Sequence, residues 1–277
     1  MSTILNKVQV MLSLLLCLFF VTQKVWSCNL SIGLSNDFPP YHAKEPGKDW
    51  QGVSVDLTKI LVEQAGCSLS IIELPWARSI KLMESGEIQL ISHFTYTLER
   101  AKYAQFLGPH HIEKITFIAK NNFDKEVNTP SLLPLFSGQI GITRGDEFGD
   151  EFDQYVLHHD LVNSKLVDIK NNRDRVAMLL IDRLEGIFYD ELSAQYLLTT
   201  NPRLNKKYSV RFTLQGSPVY WGVSYRYVSA DLRQALNQAW VFMLEHKMIE
   251  PVYQKYGLSI DMDQLAAFPL MELSTEN

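Results

Sequence analysis

Arg100 and Asp190 are the two residues whose type and placement most suggest chemistry. Arg100 lies in "SHFTYTLERAKYAQF", where "HFTYT" reads as the end of a strand. "TLERAKYAQF" reads as a short helix with Thr97 as its N-cap. That puts a cation near the third helical position, where the macrodipole disfavours it by about 0.3–1 kcal/mol. Either Arg100 points into water or something negative sits in front of it. A planar carboxylate suits the guanidinium fork, which donates two parallel hydrogen bonds. Asp190 ends the buried run "EGIFYD". A carboxylate there can receive an ammonium group, cap the following helix "ELSAQYLL", or do both. Phe38, Tyr41 and Trp76 lie in loops where aromatic rings could wall an apolar or cation-binding pocket.

Other chemistries find less support. The pairs His110–His111 and His158–His159 suggest metal, but no Cys/His/acid spacing completes a site. No metal and no cofactor is expected. G-x-S-x-G, Walker, G-x-G-x-x-G and H-E-x-x-H strings are all missing.

These residues need elements to hold them. "NLSIGLS" is a strand running into the loop "NDFPPY". "VSVDLTKILVEQAGC" has apolar residues at Val55, Leu57, Ile60, Leu61 and Ala65, a helical spacing. "SLSIIEL" is a strand, "ARSIKLMESGE" a helix stopping near Gly86, and "IQLISHFTYT" a third strand. This β-α-β-α-β order predicts a mostly parallel sheet flanked by helices, with ligands at the carboxyl ends of its strands. The loops "NDFPPY", "LPWAR" and "HFTYTLER" fall together at that edge. The pattern restarts after "KITFIAKN", with strands at "GQIGIT", "KLVDIK" and "EGIFYD" and a helix at "NRDRVAMLLIDRL". The strand "PVYWGVSYRY" and the helix "ADLRQALNQAWVFMLEHKMIEPVYQKYG" then return to the first unit. The expected organisation is residues 28–120 plus 216–277 as lobe 1 and residues 121–215 as lobe 2.

Residues 1–27 read as a signal peptide. Lys7 precedes "VQVMLSLLLCLFFV", about 14 apolar residues, and Val25 and Ser27 stand at −3 and −1 of a cleavage site. A retained N-terminal anchor is the alternative. Cleavage leaves 277 − 27 = 250 residues, with a charge of 24 − 31 = −7 once Lys7 and Lys24 are gone. An acidic exported chain is a poor partner for nucleic acid or anionic membranes. The expected location is the periplasm. The mature chain keeps Cys28 and Cys67, each just before a strand-like run. If those strands are parallel neighbours, a disulfide fits an oxidising compartment. The other reading makes Cys28 a lipidated N-terminus, with Trp26 a poor fit to that signal.

Three strings, in order, resemble the family 3 extracellular solute-binding proteins, the polar-amino-acid receptors of ABC importers. "SGEIQLISHFTYTLERAKYAQF" is similar to that family's T-x-T-x-E-R block, "RLEGIFYDE" to its second-lobe acid block and "EPVYQKYG" to its closing helix. "LPWAR" and "RG-x-x-x-G-x-E-F" mark a divergent branch whose members need not serve a transporter. The resemblance implies a two-lobed type II periplasmic-binding-protein fold with two crossover strands. It implies that Arg100 takes a ligand α-carboxylate, assisted by Thr95, and that Asp190 takes the α-ammonium. Trp76 with Phe38 or Tyr41 would sandwich the ligand side chain. It implies no catalysis, an amino-acid-like ligand, a monomer, and an ABC permease or a membrane sensor as partner. Two departures stand out. His93 replaces a common glycine or serine. The loop "RGDEF", with Gly145, carries Asp146 and Glu147, which would repel a carboxylate unless turned away, for example towards Arg144. A dehydratase on the same fold, using Asp146 or Glu147 as general acid, is the enzymatic alternative.

Overall fold

The computed structural model describes residues 28–35, 38–122, 127–146, 148–214 and 216–266. The expected signal peptide and Glu147 lie outside the described residues.

Strand β1 (Cys28–Leu34) buries Leu30, Ile32 and Leu34, and leads through a small ribbon, β2 (Ala43–Lys44) with β3 (Trp50–Gln51), into helix α1 (Val53–Gln64). Val55, Leu57 and Leu61 of α1 are buried, while Ile60 and Ala65 pack at the margin of the same core. Strand β4 (Cys67–Glu73) runs parallel to β1, and helix α2 (Trp76–Ser85) stops at Gly86, which adopts φ 85°. A left-handed residue there ends the helix, and glycine takes that conformation without a Cβ clash. Strand β5 (Leu90–Thr95) completes the β-α-β-α-β unit.

The chain then departs from the expected helix at "TLERAKYAQF". Arg100–Lys102 forms one turn of 3-10 helix, and "AQF" opens strand β6 (Ala104–Glu113). Strand β6 gains a long ladder with β12 (Ser217–Ser224), interrupted by a bulge between Val219 and Trp221, and this pairing outweighs a short local helix. The first sheet has the order β4-β1-β5-β12-β6.

The second sheet is assembled from β7 (Ile115–Lys120), β8 (Ile140–Thr143), β9 (Leu166–Ile169), β10 (Gly186–Asp190) and β11 (Tyr208–Thr213), in the order β11-β7-β10-β8-β9. Strand β7, placed with lobe 1 by the expected boundary at residue 120, therefore belongs to the second sheet. The first crossover is at Lys114, and the return is at residues 214–216. These two joins lie side by side, with the Leu214 N–H donating to the Ile115 carbonyl at 2.7 Å. Each sheet has two parallel and two antiparallel pairings, because the strands that carry the chain between lobes run against their neighbours.

Helices α3 (Asn172–Leu180) and α4 (Glu191–Thr200) flank the second sheet, and α5 (Ala230–Glu245) returns to lobe 1. Trp240 of α5 packs 5.3 Å from Trp221 of β12, whose indole N–H donates to Thr58 Oγ1 at 2.9 Å. The expected single C-terminal helix breaks after Glu245, where Lys247 takes φ 52°, and resumes at Glu250–Lys255. Pro251 sits in its first turn, where a missing N–H costs nothing. Lobe 2 has its own core, in which Phe117 lies 5.0–5.2 Å from Phe136, Phe188 and Phe212.

Cys28 and Cys67 are register partners at the start of β1 and β4, with Cα atoms 4.8 Å apart, and they form a disulfide. Among the described residues no helix is long and apolar enough to cross a membrane.

Candidate functional site

The edge of lobe 1 is set by the turn after β5. Thr97 Oγ1 accepts the Arg100 backbone N–H at 3.2 Å and its carbonyl accepts the Ala101 N–H at 3.0 Å. This curls Arg100 back over the strand end, where Nη1 donates to the Thr95 carbonyl at 2.9 Å and the guanidinium lies 4.7 Å from the Phe94 ring. A three-residue turn has no appreciable macrodipole, so the expected conflict with a helix field does not arise. The pair of carbonyls and the ring help to hold the cation. Arg100 is only 6% exposed.

Its second carbonyl comes from the other lobe. Arg100 Nη2 donates to the Gly145 carbonyl at 3.2 Å, and Trp76 Nε1 donates to the same oxygen at 3.0 Å. Gly145 has φ 86°, in the region that glycine enters freely, within the turn that Asp146 N–H closes onto the Thr143 carbonyl. Two donors from lobe 1 thus converge on one acceptor of lobe 2.

Asp190 ends β10 and caps α4, with Oδ1 accepting the Ser193 N–H at 2.8 Å. Tyr41, fully buried, donates from its hydroxyl to Asp190 Oδ2 at 3.3 Å. Asp190 is 4% exposed, and burial pushes its carboxyl up to about 7 despite those two hydrogen bonds. Asp146 is not turned towards Arg144, which lies 3.8 Å from Asp168 instead. Its carboxylate faces Arg175 of α3 at 3.7 Å. Burial lifts Asp146 to about 6, against the pull of Arg175 and Arg100.

Below the cleft lies a cluster of imidazoles. His93 adopts φ 54°, shares a hydrogen bond of 3.1 Å with Ser54 through Nδ1, and packs 4.2 Å from Tyr41. Adjacent residues seldom point the same way, yet His110 Nδ1 and His111 Nδ1 meet at 2.9 Å, and Tyr41 stacks on His111 at 5.2 Å. Burial holds His93, His110 and His111 below the usual imidazole range, His110 at about 3. They are neutral dipoles at ordinary pH. Among the described residues no group of three or more His, Cys, Asp or Glu side chains is arranged to hold a metal.

A cavity of about 70 Å³ lies between the lobes. Of the residues expected from sequence, Arg100, Thr95, Trp76, Phe38, His93 and Asp190 line it. Tyr41 packs behind it, bonded to Asp190, and Gly145 does not line it but accepts from Arg100 and Trp76, which do. The exposed pair member His158 takes no part in it. Three further lining residues matter and were not anticipated as ligand groups: Glu113, Arg175 and, on the acceptor side of Arg175, Asn172. The signals were faint. Arg175 shares a helical face with Leu179, an apolar position, and Glu113 is the lone acid closing a ten-residue strand.

A model of the bacterial extracellular solute-binding proteins, family 3, matches residues 30–259. The chain belongs to that family. Solved structures similar to this family 3 chain include an ancestral arginine-binding protein bound to arginine, 21% identical, covering 82% of this chain and 97% of that one, TM-score 0.70. Another is a histidine kinase sensor domain with similarity to periplasmic binding proteins, 16% identical over 85% and 98% of the two chains, TM-score 0.71. A third is the ancestral amino acid-binding protein AncCDT-1, a precursor of cyclohexadienyl dehydratase, 17% identical over 82% and 95%, TM-score 0.68. At these identities the likeness establishes the shared two-lobed fold. No curated protein matches the chain.

Proposed function

We propose that this family 3 solute-binding protein is a periplasmic receptor that clamps a small zwitterion, an amino acid or related compound, for ABC-type uptake. The observation that carries the reading is a buried cation on lobe 1, Arg100, and a buried carboxyl on lobe 2, Asp190, lining one cavity. A zwitterion offers each of them a partner of opposite charge. Arg100, fixed by the Thr95 and Gly145 carbonyls, presents its guanidinium to the α-carboxylate, and Asp190 accepts from the α-ammonium. Phe38 and Trp76 flank the rest of the molecule. Contacts made to both lobes at once exist only when the lobes are together, so ligand favours the closed arrangement. The chain would work as an exported monomer, freed of residues 1–27, and deliver solute to a membrane permease.

A thermal-shift screen of the amino acids tests this. A ligand at a hundredfold excess over Kd adds about 2.7 kcal/mol of stability. Silence across the panel would remove the amino-acid assignment. A sensor without a transport role would give the same binding, and is separated by loss of uptake, or its retention, when the gene is deleted. The dehydratase reading draws on Asp146, which burial lifts to about 6 and so leaves able to donate a proton near neutral pH. Recovery of an unreacted amino acid from the complex would count against it.

A further inference from the structure

Three carboxyls line the cavity, and the reading above leaves Glu113 without a task. Glu113 is the last residue of β6, paired in register with Ser217 of β12, and so stands beside both crossovers. Two residues further on, Ile115 lies opposite Asp190 in the β7–β10 ladder, and the Glu191 N–H donates to the Lys114 carbonyl at 2.9 Å. Glu113 and Asp190 both line the cavity from these positions. Two deeply buried side chains that line the cavity, one from each lobe, carry polar atoms without hydrogen-bond partners among the described residues, although Arg175 also faces Asp146 at 3.7 Å. One is His93, 8% exposed, at Nε2; the other is Arg175, 2% exposed, at Nε and Nη1. Buried polar atoms of this kind call for a partner, and a polar ligand in the cavity supplies one.

We propose that Glu113 is a second receptor for the cationic group of the ligand, which it shares with Asp190. This rests on the zwitterion reading and extends it. A single carboxylate leaves an ammonium group short of acceptors, since it has three N–H donors. Two carboxyls from different strands, one on the crossover, hold it from two sides.

The pair also has a proton to lose. Glu113 is held well above the usual carboxylate range by burial, then by Asp190 and Asp146, with Arg100 pulling the other way. Two carboxyls sharing a site cannot both ionise cheaply, so the unliganded pair keeps a proton near neutral pH. An ammonium group entering between them takes over its role, and that proton leaves to solvent. The neighbours leave this balance intact. Tyr41 and Tyr253 are raised further from neutrality by burial, and Arg100 and Arg175 stay cationic. His93 and His111 are held neutral, His42 lies 6.2 Å from His93, and Glu191 faces Lys114 at 3.9 Å. Among the described residues Asp146 also titrates in this range.

The test is calorimetry of the mature chain with L-glutamine and L-arginine as probes, extended to the other proteinogenic amino acids, in buffers of differing ionisation enthalpy. The wild type is expected to release up to about one proton per ligand at pH 7, with affinity rising from pH 5.5 to 7.5. Glu113→Gln is expected to bind about 10- to 100-fold more weakly at pH 7.5 and to release much less proton. At pH 5.5 the two proteins should converge. Unchanged affinity and proton release in Glu113→Gln would overturn the role of Glu113 while leaving the zwitterion reading standing. Zero proton release by the wild type would do the same, whether or not the variant folds. Binding of no amino acid by the wild type would overturn both.

Discussion

Lobe 1 and lobe 2 are built on five-stranded sheets of the same plan, yet they bring different chemistry to the cavity. Lobe 1 contributes the guanidinium of Arg100, the indole N–H of Trp76, the neutral ring of His93 and, at the crossover, the carboxyl of Glu113. Lobe 2 contributes Asp190 and Asp146, with Arg175 balancing the latter. The lobe 1 cation is anchored on main-chain carbonyls, and its charge does not vary with pH. The lobe 2 acids sit at about 7 and about 6, so their charge does. On the proposed reading, the fixed charge of Arg100 sets where a ligand docks, and the titratable carboxyls make the strength of docking depend on the medium.

The sharpest way to break this contrast is to remove each charge in turn. Arg100→Ala and Asp190→Asn should each weaken binding of an amino acid by about 2–5 kcal/mol, read by calorimetry, because each strands a buried partner. If Arg100→Ala alone is costly, the ligand is a plain acid and lobe 2 is not a charge receptor.

The disulfide belongs to lobe 1, and none joins residues of lobe 2 among those described. Closing a loop across a separation of 39 residues stabilises by about 4 kcal/mol on the chain-entropy estimate. Cys28→Ser with Cys67→Ser should therefore lower Tm by on the order of 10 °C. Lobe 2 cores, followed by amide hydrogen exchange near Phe117 and Phe188, should change far less.

A third comparison uses pH. The folded chain binds a proton at Asp190 up to about pH 7, against an ordinary 3.8, so this group's stabilisation is complete below about pH 4 and is lost as pH rises through 7. Buried His93, His110 and His111 act oppositely: their stabilisation is complete above about pH 6.5 and is lost as pH falls. The difference in Tm between wild type and Asp190→Asn, both without ligand, should therefore shift against the wild type by on the order of 5 °C between pH 5 and 8. A constant difference would mean that Asp190 is already ionised throughout.

The smallest effect concerns the shared acceptor. Trp76→Phe keeps an aromatic wall and removes one of the two donors to the Gly145 carbonyl, at about 0.5–1.5 kcal/mol in ligand affinity. A larger loss would mean that the indole itself packs on the ligand.

Much of this was legible in the residues because period and punctuation agree in the first half of the chain. The helix at Val53–Gln64 follows its apolar spacing, Gly86 stops the next one, and the three strands pair as parallel neighbours. The misplacements have physical causes. "ITFIAK" is buried whichever sheet it joins, so its apolar run could not say that β7 belongs to the second. "KYAQF" has helical spacing, but a long-range ladder with β12 decided its state. Asp146 chose Arg175 over the nearer Arg144, a preference set by how α3 packs on β8 and not by separation along the chain. Glu113 and Arg175 are single charges in apolar surroundings, and only the meeting of two lobes gives them a common cavity.

The position of β12 between β5 and β6 has a consequence for the order in which the molecule can assemble. The second sheet uses one continuous stretch, residues 115–213, whereas the first lacks an interior strand until Ser224 has been supplied. The contact between Val219 and Thr95 closes a span of 219 − 95 = 124 residues, an entropic cost that local contacts must first offset. Lobe 2 can therefore form as a unit while β5 and β6 still wait with unpaired edges. Arg100, in the turn between those two strands, is among the last residues to reach its working position. A nascent or truncated chain ending before Ser217 would carry the acidic face of the cleft with Arg100 not yet in place.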